Sequence, residues 1–100
     1  MHAWLCETPT GPDQLVWREL PTPEPAADEV RVAIRAASIN FPDILIVQGK
    51  YQFKPVTPFV PGSEFAGRVD AVGSNVTHLK IGDPVAAIGS IGGFGTHACV

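Results

Sequence analysis

Four polar residues stand at joints of the chain where their chemistry could converge: Asn40, Asp43, Tyr51 and Glu64. Asn40 and Asp43 have the Asn-x-x-Asp spacing of a helix start. There a side-chain oxygen can satisfy an orphaned backbone N–H, and a carboxylate suits the positive end of the helix. The pair reads either as a cap without chemistry, or as a carboxamide offered to a substrate oxygen or a cofactor amide while Asp43 orients the backbone. Tyr51 follows a helix-stopping glycine, on a loop expected to fold back over the helix N-terminus. It reads as a half-buried aromatic, as a hydroxyl donor to a carbonyl acceptor, or as a ring stacked on a flat cofactor. Glu64 lies between Gly62-Ser63 and an apolar run, so partial burial is expected. A carboxylate there needs a basic side chain or backbone donors, or becomes a functional group itself.

Other chemistry is poorly supported. His2, His78 and His97 have no partners at helical spacing and no Cys-x-x-Cys nearby, so no metal site is expected. The run Gly89-Ser90-Ile91-Gly92-Gly93-Phe94-Gly95 misses the Gly-x-Gly-x-x-Gly spacing and precedes no helix, which leaves nothing to cradle a pyrophosphate. Cys6 and Cys99 lie at opposite ends of the chain and read as unpaired thiols of a reducing cytoplasm.

The elements that must position these residues are short. The chain is 100 residues long, one domain (1–100), with 10 glycines and 10 prolines that punctuate it often. Val30, Val32 and Ile34 alternate with Arg31, Ala33 and Arg35, predicting a half-buried strand over Glu29–Ala37. Asn40 to Gly49 reads as the one helix, with Pro42 tolerated in its first turn and Gly49 at its stop. Lys50 to Pro61 carries prolines at 55, 58 and 61 and is too broken for regular structure. Further strands are predicted at His2–Glu7, Leu15–Leu20, Phe65–Val72, Val85–Ile88 and Thr96–Val100. The fold class is mainly β with one short helix, a partly open barrel or a sandwich. A net charge of −3 argues against nucleic acid and anionic membranes, and no run is long and apolar enough to span a bilayer as a helix. The chain stops in an apolar strand, which is expected to mark a cut and to leave strand edges open to self-association.

The order of motifs is more specific than any one of them. Glu29-Val30-Arg31-Val32, Ala37-Ser38-Ile39-Asn40-Phe41-Pro42-Asp43 and Gln48-Gly49-Lys50-Tyr51 are followed by Pro58-Phe59-Val60-Pro61-Gly62-Ser63-Glu64-Phe65-Ala66-Gly67, Val72-Gly73 and Gly82-Asp83-Pro84-Val85. Nearly end to end, the chain resembles the N-terminal, GroES-like domain of the zinc-independent medium-chain dehydrogenases/reductases, in the NADPH:quinone oxidoreductase (ζ-crystallin-like) branch. The zinc-dependent relatives place a cysteine ligand where Asn40 stands and a His-Glu pair where Ser63-Glu64 stands. Their structural-zinc cysteines have no counterpart after Val85.

The resemblance implies a GroES-like partly open β-barrel that forms the substrate half of an oxidoreductase. NADPH would be bound mainly by a Rossmann domain outside these residues, with Asn40 and Tyr51 lining the cleft near the nicotinamide and Asp43 beside them. Some members carry a tyrosine where Leu45 stands, so that contact is missing here. Without zinc to stabilise an alkoxide, a conjugated acceptor is the easier substrate, because it delocalises the incoming charge. A small-molecule quinone or enone, no zinc, a homodimeric full-length protein and a cytoplasmic location follow as expectations. An enoyl-thioester reductase domain and a non-catalytic GroES-like binding or assembly module remain as alternatives.

Overall fold

A computed structural model describes residues 1–89 and 91–100; Ser90, within the glycine run considered above, lies outside the described residues. Six strands, one α-helix and one 3-10 turn follow in the order β1 (His2–Leu5), the turn (Pro12–Gln14), β2 (Val16–Glu19), β3 (Val30–Ser38), α1 (Phe41–Val47), β4 (Glu64–Val72), β5 (Pro84–Ile88) and β6 (His97–Cys99). Strands β1 and β2 form a two-stranded antiparallel sheet, and a second antiparallel sheet has the order β5-β4-β3-β6. The strands do not close into a barrel, in keeping with the partly open form expected from the sequence.

Strand β3 is the spine. It buries Val30 and Val32 against Phe65, Val69 and Ala98 in the first of two hydrophobic clusters. The expected alternation holds for these two valines and weakens at Ile34, which is only half-buried. The reason lies in the β3–β4 ladder, which has irregularities at Arg31/Val32 and at Ile34/Ala36. In the first, Asp70 of β4 is left without a partner, and in the second, Arg35 of β3 is. One insertion on each strand cancels the other, so the far end of the ladder regains the register of the near end and sets Ser38 opposite Glu64. Gly67 makes this bend possible, since a Cβ there would lie 2.0 Å from the Ala33 carbonyl oxygen.

Helix α1 begins and ends at the predicted residues. Asn40 is its N-cap in extended conformation and Pro42 lies in the first turn. At the other end, Gly49 takes a φ of +69°, Gly49 N–H bonds to the Ile46 carbonyl at 3.0 Å and Lys50 N–H to the Leu45 carbonyl at 2.9 Å. That is a Schellman stop, and only glycine enters it without steric cost. The helix packs Ile46 and Val47 against Cys6 and Phe59 in the second cluster. The proline-rich stretch after it holds no regular element and is tied to β1 by paired Cys6–Phe59 backbone bonds. Cys6 and Cys99 are free thiols. Among the described residues no helix is long and apolar enough to cross a membrane.

Candidate functional site

The end of β3, the start of α1 and the start of β4 meet at one point, and the meeting is held by Asp43. This is the one buried charged or polar side chain among the described residues, with 2% of its surface exposed. Its Oδ2 accepts the Asn40 N–H at 2.8 Å, and its Oδ1 accepts the Ser63 N–H at 3.0 Å. One carboxylate thereby fastens the helix start to the turn that leads into β4. Two charge-assisted bonds satisfy two backbone donors that the fold would otherwise leave without partners.

Asn40 and Asp43 form a capping box, in which the Asn40 side chain faces the Asp43 N–H and the Asp43 carboxylate accepts the Asn40 N–H. The Nδ2 end of the Asn40 carboxamide turns toward β3 and β4. Its Nδ2 donates to Ser38 Oγ at 2.9 Å and to Glu64 Oε2 at 3.3 Å, and the Ser38 hydroxyl donates to the same Glu64 oxygen at 2.9 Å. The register that sets Ser38 opposite Glu64 puts both side chains on one face of the sheet, which is why they meet. Glu64 is half-buried, as expected, but its partners are neutral side-chain donors and not the basic or backbone groups anticipated.

Three of the four residues singled out in the sequence therefore come together: Asn40, Asp43 and Glu64. Ser38 and the Ser63 backbone complete the cluster. Tyr51 takes part in none of these hydrogen bonds and packs, half-buried, on the cluster of Cys6, Ile46, Val47 and Phe59. An apolar groove of about 620 Å³ runs between the β1–β2 sheet and α1, lined by Trp4, Leu15, Trp17, Ile34, Ile44 and Phe94. Of the polar cluster only Asp43 reaches its wall; Ala37 and Ile39 line it, while Ser38, Asn40, Glu64 and Tyr51 do not. Arg35, Asp43 and Thr96 are the polar side chains of an otherwise apolar lining, whereas Ser38, Asn40, Asp43 and Glu64 are joined by hydrogen bonds, so the cluster is the better candidate site. Among the described residues no three His, Cys, Asp or Glu side chains gather as a metal site.

Residues 26–100 match the family model for the alcohol dehydrogenase GroES-like domain. The chain belongs to this family. The GroES-like domain is 51% identical over 72 residues to a quinone oxidoreductase-like protein 2 homolog of Nematostella vectensis, covering 72% of this chain and 20% of that protein. It is 46% identical over 85 residues to a quinone oxidoreductase of Pseudomonas aeruginosa, covering 84% of this chain and 26% of the relative. The Escherichia coli quinone oxidoreductase complexed with NADPH superposes on the whole chain with a TM-score of 0.91 at 34% identity, over 31% of its own length. Sequence and fold together fit the GroES-like domain of a quinone oxidoreductase, the branch that the motifs from Glu29 to Val85 resemble. The chain spans a fifth to a quarter of the length of these two sequence relatives.

Proposed function

We propose that this GroES-like domain is the substrate half of an NADPH-dependent reductase that transfers a hydride to a quinone or another conjugated carbonyl acceptor without zinc. The observation that carries the reading is the donor set at the Asp43 junction. Asn40, Ser63 and Glu64 stand where the zinc-dependent relatives have cysteine, histidine and glutamate, and here a carboxamide and a hydroxyl replace the two strong zinc ligands. A lone carboxylate tied to Ser38 and Asn40 does not fit zinc, so no step is derived through one.

NADPH, when bound, supplies the hydride. Asn40 and Tyr51 are the residues of this chain that would hold its nicotinamide end, and Asp43 fixes the backbone on which Asn40 rides. The P. aeruginosa and E. coli relatives, by name quinone oxidoreductases, support the acceptor class. A conjugated acceptor spreads the arriving charge over its own π-system, so hydrogen-bond donors suffice where a Lewis acid is missing. Free Cys6 and Cys99 accord with a reducing cytoplasm, and we take the full-length protein to be a homodimer.

The test uses the full-length protein with NADPH and a benzoquinone, followed at the NADPH absorbance. Turnover that survives a strong chelator, together with no oxidation of simple primary or secondary alcohols, is the expected result. Alcohol oxidation abolished by the chelator refutes the proposal. The 100-residue chain alone is expected to be inactive, since most of the cofactor's contacts lie elsewhere.

A further inference from the structure

With its oxygen facing the Asp43 N–H in the capping box, Asn40 has only its two amide hydrogens left to offer. The separations around Nδ2 decide how many of them the protein uses. Nδ2 lies 2.9 Å from Ser38 Oγ and 3.3 Å from Glu64 Oε2, and those two oxygens are 2.9 Å from each other. Seen from Nδ2 they are about 55° apart, whereas the hydrogens of a planar amide point about 120° apart. One hydrogen is therefore shared between Ser38 and Glu64, and the other meets no acceptor among the described residues. Turning the amide over would set Oδ1 against the Glu64 carboxylate and Nδ2 against the Asp43 N–H, so both contacts hold it in this sense.

The unused hydrogen has a carboxylate close behind it. An oxygen bonded to it at an ordinary distance of about 2.9 Å would lie roughly 4.5–6 Å from Glu64 Oε2. Among the described residues Glu64 takes part in no ion pair that would neutralise it. An oxygen that gains negative charge is disfavoured so near a second anion, while an oxygen that stays neutral is not.

We propose that Asn40 presents one amide N–H, aimed by Ser38 and Glu64 as positioning residues, to a ligand carbonyl oxygen that stays uncharged through the reaction. Of the two carbonyl groups that hydride transfer would bring to the site, the oxygen of the acceptor gains negative charge. The carboxamide oxygen of a nicotinamide does not, and its ring gains positive charge as hydride leaves, a change that a nearby carboxylate favours. Asn40 thus orients the cofactor, and the acceptor's oxygen takes its donor elsewhere. The identity of the carbonyl rests on the function proposed above, whereas the single free N–H does not.

Two measurements test the inference separately. In ¹⁵N-edited spectra of the chain, one Asn40 Nδ2 hydrogen is expected to differ in shift and exchange rate from its counterpart in exposed Asn75, and the other to match its counterpart. E64A and S38A should each move the first hydrogen toward the Asn75 value while backbone signals in β1, β2 and β6 stay in place. S38T, which keeps the hydroxyl, should leave it where it is. Two displaced hydrogens, or none, overturn the arrangement.

The second measurement titrates the full-length protein by calorimetry with NADPH and with its 3-acetylpyridine analogue, which keeps the carbonyl but has no amide N–H. N40A should weaken both by the same factor, roughly five- to tenfold, the weight of one hydrogen bond. E64A and S38A should weaken both equally and by less. With benzoquinone, N40A should raise the KM for NADPH by the same factor and change kcat far less. A loss confined to NADPH would make Asn40 an acceptor, and a fall in kcat at unchanged KM would place its N–H on the quinone oxygen; either result refutes the proposal. If the full-length protein binds neither nucleotide, the proposed function fails and the spectra decide this inference.

Discussion

Removing the Asp43 carboxylate tests the central claim about how the site is built. In D43A the Asn40 and Ser63 N–H groups lose the acceptors they now hold at 2.8 and 3.0 Å. A buried donor left unsatisfied costs about 1–3 kcal/mol, and a favourable charge at a helix start adds about 0.3–1 kcal/mol. Both bonds are only part-buried, so water recovers much of the loss, and the low end of the range summed over the two donors applies. The expected destabilisation is about 2–3 kcal/mol, a large share of what a small domain has to lose. Urea unfolding followed by the fluorescence of Trp4 and Trp17 should show the midpoint falling by about 1–2 M at unchanged slope. D13A, which removes an exposed carboxylate from the 3-10 turn, should stay within about 0.5 kcal/mol of wild type. Amide exchange should accelerate first at Asn40 and Ser63. A D43A variant as stable as D13A, or one whose exchange at those two amides is unaltered, refutes the clamp.

Three further outcomes are expected. G67A should lose at least about 3 kcal/mol, because the new Cβ meets backbone 2.0 Å away and the β3–β4 ladder must open to admit it; a loss below about 1 kcal/mol contradicts the close approach. Burial pushes the thiols of Cys6 and Cys99 up, so Ellman's reagent should modify native Cys6 far more slowly than the urea-unfolded chain, and equal rates refute its burial. Hydrogen bonds from the Lys80 side chain and backbone N–H hold the half-buried Asp83 carboxyl below its usual range. Its stabilising contribution is therefore present at neutral pH and lost as pH falls through that depressed range. The gap in urea midpoint between wild type and D83N should close between about pH 7 and pH 2 and shrink in high salt, and a gap constant across that range excludes the pair as its source.

The local features of this fold were legible because their causes are local. Gly49 needs only its own φ to stop α1, and the Val30–Val32 alternation needs only the strand's period of two. The strand starts were read to within a residue or two for the same reason. The Asp70 and Arg35 insertions were not legible, since nothing at either position marks a residue that will be left unpaired when the two strands meet. The resemblance supplied the family, but no motif supplied the register.

The site shows the same division more sharply. Asn40 and Asp43 were found by the spacing of a helix start, and they do form the capping box there. That spacing does not show that the Asp43 carboxylate is also claimed by Ser63 from a distant part of the chain, or that Asn40 Nδ2 reaches Glu64. Ser38 went unremarked because a serine at a strand end has no signal of its own; only the cancelled pair of insertions sets it against Glu64. Had one insertion occurred without the other, the ladder would be displaced by one residue and Glu64 would face the opposite side of the sheet. The meeting of Ser38 with Glu64, and with it the partners of the Asn40 Nδ2, is thus decided by two ladder irregularities, one that leaves out Arg35, three residues before Ser38, and one that leaves out Asp70 on the facing strand.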